Sequence, residues 1–257
     1  MQTLMLDFSK SLLAVEENAP PLVNKAAQIL IQRVFEKSGL RLELAKSVPV
    51  DGRPFIYLGL SCEPLKASAL KAKLENTEKP GSEGYRIALS KKDEPCACAL
   101  IGADERGVLF AVGRLLRLMH CDEGAFSLPA GCLTSQTPRS AMRGHQLAYR
   151  PKTNAYDAWT PEIYDRYIQD LALFGNNTIE ILPPDTDDED INDLMKFDPL
   201  DMMVKLSEII HSYGMDVSVW YPNMFPEDID EAGLLKEDRA RHLVFSSVPY
   251  IDHIFIP

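Results

Sequence analysis

The sequence predicts an α/β protein: an N-terminal α+β domain over residues 1–137, then an incomplete (β/α)8 TIM barrel of about four βα units over residues 138–257. Three features predict it. The first half mixes helical and strand periodicities without regular alternation. Residues 131–142 lose periodicity and are rich in Ser, Thr and Pro, as a domain boundary is. After them strand and helix patterns alternate, with strands recurring about every 35 residues.

In the first half, Pro20 and Pro21 precede a helix over residues 22–38. Leu22, Ala26, Ile29, Leu30 and Val34 fall at helical spacing there, and Gly39 stands at the C′ position. Leu40, Leu42 and Leu44 then alternate with charged residues, the pattern of a half-buried strand. Strands follow over residues 55–60, 85–89 and 96–101. A helix over 105–119 gathers Val108, Leu109, Val112, Leu115, Leu116 and Met119 on one side. Gly102-Ala103-Asp104-Glu105-Arg106-Gly107 has neither Walker nor dinucleotide spacing and reads as a strand-to-helix turn.

In the second half, a strand over 144–149 leads to a helix over 161–174, with Thr160 as N-cap, Pro161 at N1 and Gly175 past its end. A strand over 178–182, an acidic loop and a helix over 199–213 follow, the last closed by Gly214. Then come a strand over 217–221, a helical stretch over 234–245 and a strand over 251–256. Strands joined through helices in this way imply right-handed crossovers and a parallel sheet. A doubly wound sheet is the rival, but it usually carries a Gly-rich phosphate loop after its first strand. Here Tyr149-Arg150-Pro151-Lys152 occupies that place.

Composition narrows the function classes. The chain is 46% apolar and 25% charged, an ordinary globular balance, and its longest apolar runs are far short of the ~18 residues of a membrane span. The first ten residues carry Asp7 and no basic region ahead of an apolar stretch, so no signal peptide and a cytoplasmic location are expected. The net charge of −11 is uneven: residues 1–142 hold 18 basic against 16 acidic side chains, residues 143–257 hold 9 against 22. So acidic a second half argues against nucleic-acid or anionic-membrane partners, which need basic stripes, and leaves neutral sugars compatible. The five cysteines, Cys62, Cys96, Cys98, Cys121 and Cys132, lack C-x-x-C spacing and are expected reduced and packed, with Cys96 and Cys98 on one strand face.

The chemistry in a barrel sits at the C-terminal ends of strands and in the loops that follow. Those places here offer Arg143, His145, Tyr149 and Arg150, with Lys152, Asn154, Tyr156, Asp157 and Trp159 in the loop. Glu180 comes from the second strand; Trp220, Tyr221 and Asn223 from the third. Aromatic faces stack on the C–H surfaces of sugar rings, and Arg, Asn and carboxylate groups read hydroxyls, so a carbohydrate is the expected partner. The candidate binding set is Arg143, His145, Tyr149, Arg150, Asn154, Trp159, Glu180, Trp220 and Tyr221, with no catalytic residue placed. Each has a packing alternative: Glu180 can pair with Arg143 or His145, His145 can be a hydrogen-bonded core histidine, and Trp220 and Tyr221 can be core. Asp185-Thr186-Asp187-Asp188-Glu189-Asp190 has Asp190 where a calcium-binding EF-hand loop needs Gly, and Lys196 where it needs Glu, so it reads as a solvated acidic loop. No metal or other cofactor is expected.

Several segments, in order, resemble a known architecture. Glu83-Gly84-Tyr85-Arg86-Ile87, Ala99-Leu100-Ile101-Gly102 and Gly107-Val108-Leu109-Phe110-Ala111-Val112-Gly113-Arg114-Leu115-Leu116 resemble the N-terminal domain shared by bacterial β-hexosaminidases (glycoside hydrolase family 20) and α-glucuronidases (family 67). Asn18-Ala19-Pro20, with the helix after it and Ser38-Gly39-Leu40, fits that domain's opening, and Arg143-Gly144-His145-Gln146-Leu147 looks like the first barrel strand. The resemblance implies a non-catalytic module ahead of a TIM-barrel glycosidase domain, an arginine at Arg143 that holds sugar hydroxyls, and a hexosaminide or glucuronide substrate. In family 20 the catalytic acidic pair lies at the end of the fourth strand, where Ile254-Phe255-Ile256-Pro257 stands, so a fragment inactive alone is expected. The alternatives are a non-catalytic carbohydrate-binding module and a homodimer assembled through the exposed edges of the half barrel.

Overall fold

Residues 4–66, 68–147, 149, 159–182, 196–221 and 228–256 are described by a computed structural model, and the chain divides into two units: residues 1–141 with 173–175, and residues 142–172 with 176–257. Two short strands open the first unit, β1 (Met5–Asp7) and β2 (Leu12–Val15), followed by helix α1 (Pro21–Ser38). Pro21 sits in the first turn, where a missing N–H leaves no helical bond unmade. Gly39, at φ 74°, ends the helix by donating its N–H to Phe35 O at 2.8 Å. Then come β3 (Glu43–Ala45), β4 (Phe55–Gly59), α2 (Ala69–Glu75), β5 (Tyr85–Leu89), β6 (Ala97–Gly102) and α3 (Glu105–Leu118). Asp104 caps α3 by accepting the Gly107 N–H at 2.9 Å, with Glu105 in the first turn and Arg117 in the last, as the helix dipole favours. β7 (His120–Asp122), β8 (Ala125–Pro129) and β9 (Leu133–Gln136) complete the unit.

The main sheet has the order β3-β2-β4-β6-β5-β9. Its first four strands are mutually parallel; β5 runs antiparallel to both neighbours. β1, β8 and β7 form a small antiparallel sheet. One face of the main sheet is small, with Ala14, Tyr57, Ala88, Ala97 and Ala99, and packs under Leu70 and Leu74 of α2. The residues that alternate with these, Leu13, Ile56, Leu58, Ile87 and Leu100, are fully buried, on the side of α1 and α3.

Two expectations need correction, and one strand was not expected. The Leu40–Leu42–Leu44 strand shrinks to β3; Leu42 is buried but Leu44 is 60% exposed, because β3 is an edge strand with little covering it. The run Leu12–Val15, too short to register as a periodic pattern, is a strand inside the sheet. Residues 131–142, read as an aperiodic boundary, include β9, which gains its hydrogen bonds from β5 rather than from any local pattern.

All five cysteines are free. Cys98 lies in β6 and is buried; Cys96 precedes the strand, its Sγ 3.4 Å from Asp7 O. Burial pushes the Cys96 thiol up to about 11 and Cys98 well above its ordinary value. Since the thiolate is the nucleophile, Cys98 is expected to resist iodoacetamide at pH 8 in the native chain and to react fully after denaturation; rapid native labelling, mapped by peptide mass, would contradict its placement. A thiol held protonated in the fold but ionised in the unfolded chain lowers stability as pH rises past the unfolded value near ~8.5.

The second unit alternates strand and helix: β10 (Gly144–Leu147), α4 (Pro161–Leu173), β11 (Thr178–Ile181), α5 (Pro199–Ser212), β12 (Asp216–Trp220), α6 (Glu231–Ser247) and β13 (His253–Phe255). Asp198 and Asp230 cap α5 and α6 by accepting backbone N–H groups, so α6 begins three residues before its apolar pattern does. The four strands are all parallel, in the order β10-β11-β12-β13. Among the described residues they form an open sheet, with no closed barrel.

Candidate functional site

Register sorts the side chains of this sheet into two faces. Gln146, Glu180, Ser218 and His253 are cross-strand partners in one row across all four strands. In parallel strands such partners point to the same side, so the row lies on one face. One pleat further toward the C-terminal ends, Trp220 pairs with Phe255 on that same face. His145, Ile179 and Val217, then Leu147, Ile181, Val219 and Ile254, form the rows of the opposite face.

Helices cover that opposite face. His145 meets Tyr167 of α4 edge to face at 5.7 Å, with Nε2 3.2 Å from the Tyr167 hydroxyl. Tyr149 sits edge-on to Tyr164, and its hydroxyl oxygen accepts the backbone N–H groups of Lys196 and Phe197, each at 2.9 Å. Tyr221 lies beneath Phe245 of α6, with the Arg241 guanidinium 4.5 Å from its ring centroid. Trp159 packs against Tyr164 and Tyr167. These rings weld the sheet to its helices through apolar area and edge-to-face geometry.

The face bearing Glu180 is polar. The Gln146 side-chain amide donates to Glu180 Oε1 at 2.8 Å. His253 Nε2 lies 3.4 Å from Asp216 Oδ2, an ion pair when the ring is protonated. Gln146, His253 and Phe255 are exposed, Glu180 and Trp220 half-buried. A carboxylate, an amide, a hydroxyl and an imidazole in one row, with two aromatic rings at its C-terminal end, offer hydroxyl-reading groups beside stacking surfaces.

The sequence-derived set therefore divides. Glu180 and Trp220 share the polar face; His145, Tyr149 and Tyr221 face the helices, as Trp159 does. Arg143 precedes β10, its backbone N–H donated to Asn177 Oδ1 at 2.8 Å. Arg150 and Asn154 lie outside the described residues, as do Lys152, Tyr156, Asp157, Asn223 and the acidic run 185–190. Gln146, Ser218, His253 and Phe255 were not singled out from the sequence. Period-two counting from the apolar row Leu147, Ile181 and Val219 would have found the first two. Among the described residues no group of three His, Cys, Asp or Glu side chains is placed to hold a metal, and no helix is long and apolar enough to cross a membrane.

No protein-family model matches the sequence, and no curated protein sequence does. Solved structures do. The Flavobacterium johnsoniae chitobiase matches 99% of this chain at a TM-score of 0.62 and 13% identity, over 43% of its own length. A β-N-acetylhexosaminidase from Bacteroides fragilis NCTC 9343 matches 96% at 0.60 and 13%, over 53% of its length. The protein CpGH84B matches 99% at 0.61 and 12%, over 41%. This likeness establishes a glycoside hydrolase-like fold. The chain spans about half, or less, of the length of these structures.

Proposed function

We propose that this chain is the front part of a glycoside hydrolase acting on an O-glycosidic bond of the hexosaminide type. In this reading β10–β13 are the first four strands of a (β/α)8 barrel, and the polar face is its sugar-facing wall. Strand order carries the reading. A doubly wound sheet reverses its order at a switch point, whereas β10-β11-β12-β13 runs in sequence throughout. The aromatic contacts to α4 and α6 come from one face alone, which leaves the polar face for a barrel interior. The likeness to hexosaminidase folds supports the same reading.

Trp220 and Phe255 would stack on the apolar side of a pyranose ring, and Gln146, Glu180, Ser218 and His253 would read its hydroxyls. Hydrolysis requires two carboxyl groups flanking the bond, or one acting with a substrate acetamido group. In this proposal the acid/base group comes from the remainder of a longer protein, and residues 1–257 alone are inactive. The test is turnover of an aryl N-acetyl-β-glucosaminide, with an aryl glucuronide for comparison. The product of the whole reading frame should hydrolyse the first and the 257-residue chain should not; a whole product inert on both substrates overturns the proposal. Within the active product, Trp220→Ala should raise KM about tenfold or more, the loss of one stacking contact, while Trp159→Ala leaves KM near its original value. Equal effects would remove the two-face assignment.

A further inference from the structure

The polar face carries one side-chain bond whose role the reading above does not use. Glu180 stands on β11, an inner strand of the sheet, with Gln146 and Ser218 as its row partners. Thr178 and Ser218, its neighbours on that face, are buried, and Glu180 itself is half-buried. A carboxylate drawn partly out of water favours a cation beside it. Among the described residues no Lys, Arg or His forms an ion pair with Glu180, and His145 is bound to Tyr167 on the opposite face. The one hydrogen bond to the Glu180 side chain among them is from the Gln146 amide, donated to Oε1 at 2.8 Å.

That bond spans two neighbouring strands and restrains the torsions of the Glu180 side chain, while Oε2 keeps no partner among the described residues. Trp220 stands one strand over and one pleat further on, roughly 8 Å away by the spacing of a parallel sheet. A sugar ring stacked on the indole therefore brings a hydroxyl to the open oxygen of a carboxylate already held in place.

We propose that Gln146 is a positioning residue: it holds the Glu180 carboxylate, and Glu180 accepts a hydrogen bond from a sugar hydroxyl through Oε2. The inference rests on the hydrolase reading and narrows it, because Gln146 then acts on the substrate through Glu180. A held carboxylate loses less freedom when the sugar arrives than a free one, and a charge-assisted bond to a hydroxyl is stronger than a neutral one. The same negative charge disfavours a uronate carboxylate at that place.

The experiment is a double-mutant cycle on KM for the aryl N-acetyl-β-glucosaminide, in the product of the whole reading frame, with Gln146→Met, Glu180→Ala and both together. Gln146→Met keeps the length of the side chain and removes the donor. It should raise KM about fivefold, the effect of ordering one long side chain on binding, and raise KM more than it lowers kcat. Glu180→Ala should raise KM about tenfold or more, and Gln146→Met should then add nothing to it. In the 257-residue chain the Gln146 side-chain amide resonances should shift in Glu180→Ala, read by nitrogen-15 NMR. Effects on KM that multiply, a KM indifferent to Gln146→Met, or an amide that does not shift overturns this inference and leaves the hydrolase reading standing. A whole product inert on both aryl substrates overturns the two together.

Discussion

Gly107→Ala is expected to lower the midpoint of thermal unfolding of the first unit by roughly 4–8 °C, although helix propensity alone predicts the opposite. Gly107 lies in the first turn of α3, where alanine is favoured over glycine by about 1 kcal/mol. A Cβ there would stand 2.1 Å from Gly84 O and 3.1 Å from Gly84 C, both backbone atoms. That carbonyl also accepts the Ala103 N–H at 2.9 Å, so moving it aside breaks the bond that seats the turn before α3. Overpacking against fixed backbone costs about 3 kcal/mol, and the clash outweighs the propensity. A midpoint that rises in calorimetry would show that α3 does not approach Gly84 as described.

Tyr149→Phe is expected to lower the stability of the second unit by about 2 kcal/mol while leaving the aromatic packing intact. The ring keeps its place against Tyr164. What goes is one oxygen that accepts two backbone N–H groups, from Lys196 and Phe197. Tyr149 is 5% exposed, so water reaches that position poorly from the strand side; Lys196 is exposed, which keeps the cost below that of two fully orphaned donors. Hydrogen exchange is the measurement. The Lys196 and Phe197 amides should exchange faster in the variant while those of β12 are unchanged; unaltered exchange at 196 and 197 would rule the role out.

These two residues show where reading the sequence succeeds and where it stops. Helix ends were legible because their signals are local: Pro21, Gly39 and Pro161 act on backbone groups within one turn of themselves. The βα alternation was legible because apolar period and turn residues recur over more than a hundred residues. Of the candidate site, Glu180 and Trp220 lie on the polar face while His145, Tyr149 and Tyr221 lie beneath helices. An aromatic or histidine at the end of a strand looks the same in sequence on either face. Period-two counting from Leu147, Ile181 and Val219 sorts them into two faces, but only the packing shows which face the helices cover.

The sequence by itself determined that four strands alternate with helices after residue 142, which segments those are, and that the half of the chain bearing them is acidic, since period, capping and charge are properties of neighbouring residues. The tertiary structure alone decided the order β10-β11-β12-β13 and the row Gln146–Glu180–Ser218–His253. It alone placed β2 and β9 in their sheet. The reason is that strand register is set by hydrogen bonds between residues 34 to 51 positions apart, and a shift of one residue carries every side chain to the other face.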